Sequence, residues 1–438
     1  MSKITFMGAG SVVFAKIVLG DCMCSEPLKG STIALYDIDA NRLRESEMML
    51  NNLNTTLKAN MKIETFLGVD QRKRALRGAD YVVNAIQVGG YKPSTVIDFK
   101  IPRIYGLKQT IGDTLGIGGI FRALRTMPIL LDFARDMEKV CPDAFMLNYS
   151  NPISMHMMGI LRGSSIRAVG LCHSVQNCAS TLLNHFGMKP AKLQWKVGGI
   201  NHQGWLLEIT DDGRDLYPEI KAACRKAKAK GALPRNDLVR LEMMMRFGYY
   251  VTESSIHFSE YVPWFIKRSY PELIEEFNIP LDEYPRRCVK QIEDWKRMRD
   301  ELVHKKNLSH ARSGEYASHI ITAIETDEPY KFGGNVMNTG LITNLPAKAC
   351  VEVPCLADRS GFTPVYIGEL PEQCAALNRT AINPQILTTE AVLTGRKDYI
   401  YQAAMLDPHT AAELSINDIV RMCDDLIKAH GKMLPELR

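Results

Sequence analysis

Some short stretches of this chain combine residue types that do chemistry. Gly8-Ala9-Gly10-Ser11 follows an apolar run and precedes a helical pattern. Glycines in such a turn let the backbone approach a pyrophosphate held at a helix N-terminus. Position 13 is Val, so the third glycine of the usual dinucleotide fingerprint is missing. Asp37 ends the next apolar run, 29 residues after Gly8. That is later than the usual ~20, yet it is the right place for a carboxylate that bonds a ribose 2′-hydroxyl, and an acid there favours NAD over NADP. A plain strand-to-helix turn is the competing reading. Cys172 and His202 offer a thiolate and an imidazole, which suit a divalent transition metal. They lack the four close ligands of a structural zinc site, so a metal between them would stay open to substrate. The alternative is a buried thiol and a hydrogen-bonded core imidazole.

Other polar groups fall near expected strand ends, where open α/β sheets bind ligands. They are Gln109–Thr114 with Asp113, the run Asn148-Tyr-Ser-Asn151-Pro152, and Cys172-His173-Ser174. Thr252–Phe265 mixes aromatic rings with ionisable groups, among them His257, Glu260 and Tyr261. Such a mixture suits a sugar site, and a packed loop equally well.

The elements that must position these residues are legible from periodicity. Short apolar runs alternate with helical patterns over residues 1–190, the signature of βαβ units and a parallel sheet. Strands are expected at Lys3–Ala9, Thr32–Tyr36, Ile63–Gly68, Tyr81–Gln87, Phe145–Asn148 and Ala168–Cys172. Helices are expected at Val12–Cys24, Asn41–Asn54 and Ile120–Arg135, the last with a kink at Pro128. This predicts an α/β fold: a Rossmann-like NAD-binding domain, residues 1–190. A second α+β domain follows over 191–438. It has a hairpin within Leu207–Leu216, helices at Asp237–Met245 and Arg286–Lys305, and one C-terminal helix over Ala411–His430. Lys221–Lys230 carries five basic residues and reads as a solvated helix face.

Composition removes whole classes. Fifty-four Lys plus Arg against 49 Asp plus Glu leave a net +5 over 438 residues, with no clustered basic footprint for nucleic acid. No apolar run approaches the ~20 residues of a membrane span. The N-terminus lacks a small-residue cleavage site and reads as a first strand. Eleven cysteines, an odd number scattered through the chain, do not make a secreted disulfide framework. They imply reduced thiols and a cytoplasmic protein.

Together these stretches resemble glycoside hydrolase family 4, and within it the α-galactosidase branch. The resemblance covers essentially the whole chain. It is carried by Ile4–Ser11, Ala34–Asp39, Ile86–Tyr91, Gln109–Thr114, Leu147–Pro152, Gly170–Val175, Gly199–His202 and Ala404–Thr410. Cys172-His-Ser-Val is its most specific part. The resemblance implies a lactate/malate dehydrogenase-like fold and a glycosidase that departs from the two-carboxylate scheme. Hydride passes from sugar C3 to NAD⁺, the acidified C2 proton is removed, and the C1–O bond breaks by elimination. Water then adds and the hydride returns. The resemblance makes Cys172 and His202 ligands of Mn²⁺ or another divalent transition metal, under reducing conditions. It makes His173 the acid that assists the leaving oxygen, and Asn151, with Asn148 beside it, substrate-binding. Asp113 becomes the carboxylate that raises the basicity of the C2 base. That base is Tyr261 or His257. NAD falls to Gly8, Ala9, Gly10, Ser11 and Asp37.

Two local departures bear on substrate. Gln203-Gly204 stands where the branch has Met-Ala, and Ile256 stands where it has Glu. The expected substrate is a small α-galactoside, with an α-galacturonide or α-glucuronide as the alternative. An NAD-dependent 2-hydroxy-acid dehydrogenase is the more distant one. A homodimer or homotetramer is expected, with neither nucleic acid nor membrane as partner.

Overall fold

The computed structural model describes residues 1–438. Its strands are β1 Lys3–Met7, β2 Thr32–Asp37, β3 Lys62–Leu67, β4 Tyr81–Asn84, β5 Phe145–Asn148, β6 Arg167–Gly170, β7 Leu193–Ile200, β8 Gln203–Asp211, β9 Arg214–Asp215, β10 Tyr250–Val251, β11 Tyr330–Met337, β12 Cys350–Asp358 and β13 Gly361–Pro364. The first six are parallel, in the order β3-β2-β1-β4-β5-β6. This is the doubly wound dinucleotide-binding order, which places ligands beyond the strand C-termini on either side of β1 and β4. Largely apolar strands such as Ile4–Met7 and Tyr81–Val83 are buried, as a sheet covered by helices on both faces requires.

The same sheet continues into the second half of the chain. There the strands are antiparallel, in the order β6-β11-β12-β7-β8-β10. The joints are narrow: β6 meets β11 at Gly170–Asn335, and β12 meets β7 at Glu352–Gly199. Because Asn335 also pairs with Glu352, one row of residues crosses four strands: Gly170, Asn335, Glu352, Gly199. This row brings the end of β6 and the β7–β8 turn to the same edge.

Most expected elements lie within a few residues of their observed bounds. The strand expected at Tyr81–Gln87 ends at Asn84, and that expected at Ala168–Cys172 ends at Gly170, so Cys172 lies in the loop beyond it. The helix Gly116–Val140 runs on through Pro128, which does not end it. The expected hairpin within Leu207–Leu216 is the β8–β9 pair turning at Gly213. The larger β7–β8 hairpin, which turns at Asn201-His202, was not expected. The single C-terminal helix is a correction. It divides into Pro408–Glu413 and Ile416–His430, because Leu414 is extended and Ser415 accepts the N–H of Asp418 as an N-cap.

All eleven cysteines are free, and all but Cys24 are buried. No helix is long and apolar enough to cross a membrane.

Candidate active site

The loop after β1 has the shape a dinucleotide needs. Gly8 has φ +91°, and a Cβ there would stand 3.0 Å from the Ala85 backbone. The Gly10 N–H donates to Asp37 Oδ2 at 2.6 Å, and a Cβ on Gly10 would meet that oxygen at 2.7 Å. Ser11 is exposed ahead of the helix Val12–Met23, whose first turn carries no acid. The helix N-terminus is therefore open to phosphate, with Gly8, Ala9, Gly10, Ser11 and Asp37 around it.

The second cluster forms at the edge set by the four-strand row. Cys172 lies two residues beyond Gly170, and the helix Ser174–His185 follows it. His202 sits in the β7–β8 turn with φ +64°. β10 pairs with β8, Thr252 N–H donates to Gly204 at 2.9 Å, and Glu253 is thereby laid beside His202. The Cys172 sulfur, a His202 nitrogen and a Glu253 oxygen all lie within 4.8 Å of one another. A thiolate, an imidazole and a carboxylate at that spacing fit a divalent transition metal with positions left for substrate. Glu253 is a candidate ligand that sequence reasoning missed. It lies within the stretch Thr252–Phe265, but only the β10–β8 pairing brings it to His202.

Both candidate bases reach this cluster. The Tyr261 hydroxyl and His202 Nδ1 share a hydrogen bond of 3.0 Å, so Tyr261 also orients the imidazole. His257 Nδ1 lies 2.7 Å from Ser254 Oγ and 3.3 Å from Glu253. Burial pushes the Tyr261 phenol well above its ordinary value, and the nearby acids Glu260 and Asp113 add to this. Burial also lowers His257, which favours its neutral imidazole. Burial disfavours the His202 cation too, but Glu253 and Cys172 outweigh that and push it up to about 10. Burial would raise Glu253, and the His257 and His202 rings beside it instead bring it down to about 2.

The segment 252–261 is clamped on two sides. Asp237 accepts from Ser255 Oγ at 3.0 Å, and Arg240 Nη1 donates to the Thr252 carbonyl at 3.3 Å. On the other side Glu260 accepts three successive backbone N–H groups, from Thr110 at 2.6 Å, Ile111 at 3.2 Å and Gly112 at 2.7 Å. Burial still pushes Glu260 up to about 7 against those donors. The loop it grips presents Asp113.

Asp113 meets Thr114 Oγ1 at 2.7 Å, Asn151 Nδ2 at 3.5 Å and Arg122 at 3.8 Å. Its hydrogen bonds go to these neighbours and not to Tyr261. Asn151 keeps Oδ1 buried and unpartnered, free for an incoming hydroxyl. Asn148 differs from expectation. It is fully buried, its oxygen accepts from Asn84 at 2.7 Å and its amide donates to the Ser150 carbonyl, so it shapes the loop instead of facing a ligand. His173 is half exposed, with Nε2 against Glu315 Oε1. The Glu315 hydrogen bond raises the His173 pKa despite partial burial. Ile256 lines a separate cavity of about 210 Å³ with Ile274 and Phe277.

Comparison with known proteins gives the family. Residues 3–188 match the family model "Family 4 glycosyl hydrolase", and residues 197–410 match "Family 4 glycosyl hydrolase C-terminal domain". An α-galactosidase of Bacillus subtilis (strain 168) is 61% identical over the full length of both chains. Among solved structures, a Bacillus subtilis protein described provisionally as a glucosidase has a TM-score of 0.87 at 25% identity, covering 97% of this chain and 99% of its own. A 6-phospho-α-glucosidase from gut microorganisms, in complex with NAD and Mn²⁺, has a TM-score of 0.81 at 20% identity, with both chains fully covered.

Proposed function

This chain belongs to the family 4 glycosyl hydrolases, and from that membership we infer that it is an α-galactosidase dependent on NAD and a divalent metal, Mn²⁺ in the first instance. The observation that carries the reading is the convergence of Cys172, His202 and Glu253 in a chain that also holds a glycine loop fit for a dinucleotide. Bound NAD and the divalent ion supply a reversible hydride acceptor for sugar C3 and a Lewis acid for the C2 and C3 oxygens.

The chain's own residues divide the remaining work. His173, whose cation the Glu315 hydrogen bond favours, protonates the departing glycosidic oxygen. Tyr261 takes the C2 proton. His257 is the second reading for that role, favoured by its neutral imidazole. Asn151 receives a sugar hydroxyl on its free oxygen, and Asp113 holds Asn151 and Arg122 in place. A neutral sugar is favoured over a uronide because nearby guanidinium groups are already paired, Arg122 with Asp113 and Arg287 with Glu283.

The family matches leave residues 1–190 and 191–438 as the proposed division into an NAD-binding and a substrate-binding domain. A thiolate ligand needs reducing surroundings, which supports a cytoplasmic location. A homodimer or homotetramer is the proposed assembly, to be read by light scattering.

The test is a panel of aryl α-galactoside, α-galacturonide and α-glucuronide, run with and without NAD and Mn²⁺ in the presence of a thiol. Galactoside hydrolysis that needs both additions and leaves no net NADH is expected. Faster uronide turnover would move the substrate assignment. Accumulating NADH would make the chain a dehydrogenase.

A further inference from the structure

Glu352 is outside the ligand set, yet it touches the neighbourhood of every member. It lies in the row Gly170–Asn335–Glu352–Gly199 that joins the two parts of the sheet. Its Oε1 accepts from Asn335 Nδ2 at 3.0 Å and from Asn201 Nδ2 at 3.3 Å. Asn201 immediately precedes His202, whose left-handed backbone is one a non-glycine residue rarely adopts unaided. The other oxygen, Oε2, faces Gly204. A Cβ at Gly204 would lie 3.2 Å from it and 3.1 Å from Thr252 Oγ1. Thr252 immediately precedes Glu253. Neither Glu352 Oε2 nor Thr252 Oγ1 has a hydrogen-bond partner. On its remaining side, through Asn335, Glu352 is tied to Gly170, which leads into Cys172; Asn335 Nδ2 also donates to the Gly170 carbonyl at 3.3 Å.

A buried carboxyl whose hydrogen bonds go to asparagine amides, with no direct ion pair, is an expensive way to fill a sheet interior. An apolar side chain would pack the row at lower cost. We propose that Glu352 is a positioning residue for the metal, fixing the spacing of Cys172, His202 and Glu253 by joining the strands that deliver them. The inference rests on the reading of those three residues as ligands. Groups that orient metal ligands typically matter 10–100-fold in metal affinity.

The test is Mn²⁺ titration of the full-length chain, saturated with NAD, with free Mn²⁺ followed by electron paramagnetic resonance. Wild type, Glu352→Leu, Glu352→Gln, Asn201→Ala and Cys172→Ser are compared, and NAD affinity reports folding. Glu352→Leu and Asn201→Ala should raise the Mn²⁺ Kd roughly 10–100-fold with NAD affinity kept. Glu352→Gln, which retains an acceptor for both asparagines, should recover most of the loss. If Glu352→Leu does not fold, Asn201→Ala decides. Wild-type Mn²⁺ affinity in Glu352→Leu and Asn201→Ala, with Cys172→Ser defective, would overturn the inference and leave the ligand reading standing. A Glu352→Gln as weak as Glu352→Leu would assign the effect to charge and overturn positioning. Undiminished binding by Cys172→Ser would remove the ligand reading and this inference with it.

Discussion

The proposed metal site depends on one sulfur, that of Cys172. The other ten cysteines have no place in the ligand cluster, and burial raises the thiol pKa at several of them, Cys22 and Cys178 to about 12. Cys172 instead shares its surroundings with His202, Glu253 and Ser174 Oγ, the last 3.3 Å away. Cys172→Ser should cut turnover by more than the ~100-fold that loss of an outer partner brings, with NAD affinity kept. Steady-state rates with added Mn²⁺ check this, and a variant at wild-type rates would contradict it. The adjacent His173 makes a separate prediction. Glu315 holds its Nε2 and favours the imidazolium, so the acid form persists to higher pH than in a free histidine. Glu315→Gln removes that support, and the alkaline limb of the kcat profile should move to lower pH. An unmoved limb would separate His173 from the proton delivered to the leaving group.

Among the elements, the loop 109–114 has the most to hold in register. It takes Glu260 through three backbone N–H groups and gives its Gln109 and Thr110 carbonyls to the N–H groups of Asp282 and Tyr284 at the start of the helix Glu283–His304. It thereby sets Asp113 and Asn151 against the segment that carries Tyr261 and His257. Glu260→Ala strands three buried donors, each worth about 1–3 kcal/mol. It should lower Tm by several degrees and reduce kcat about 10–100-fold at unchanged NAD affinity, because a small misplacement of reacting groups is costly. Thermal melts beside kinetics check both parts. Wild-type kcat in a destabilised variant would make the clamp purely structural. This loop also shows how much could be read from the sequence. The parallel strands and the glycine turn were legible because periodicity and local motif define them, while Cys172 and His202 stood out only as metal-ligating residue types until the family resemblance paired them. Glu253 and Glu260 were visible only as ionisable residues among aromatics. Their roles come from the pairing of β10 with β8 and from a loop about 150 residues away. Asn148 was misplaced for the converse reason: its motif is right, but its side chain turns inward to Asn84. The split near Leu414 needed the Ser415 cap, which a helical apolar pattern hides.

For the whole molecule, two buried acids sit at junctions, Glu352 between the parallel and antiparallel parts of the sheet and Glu260 between loop and base segment. Burial raises both to about 7 from an ordinary 4.5. Each therefore binds its proton more tightly in the folded than in the unfolded chain. The stabilisation is fully present below about 4.5 and is lost as pH rises through about 7. Each can cost on the order of 3 kcal/mol once ionised. Glu253 has the opposite sign, since its pKa falls to about 2. Its contribution is present above the unfolded value of 4.5 and is lost only on strong acidification. Between pH 5 and 7 the two raised acids therefore set the trend among these three groups, each withdrawing stability from the metal-free protein as pH rises, against the opposite contribution of His156, which burial lowers to about 3. A glutamine at position 352 mimics the protonated side chain and cannot ionise. Thermal melts in EDTA across that range should show a shallower decline for Glu352→Gln than for wild type, with the two curves closest at pH 5. Parallel curves would mean that Glu352 binds its proton equally in the folded and unfolded chains, and that burial does not raise its pKa.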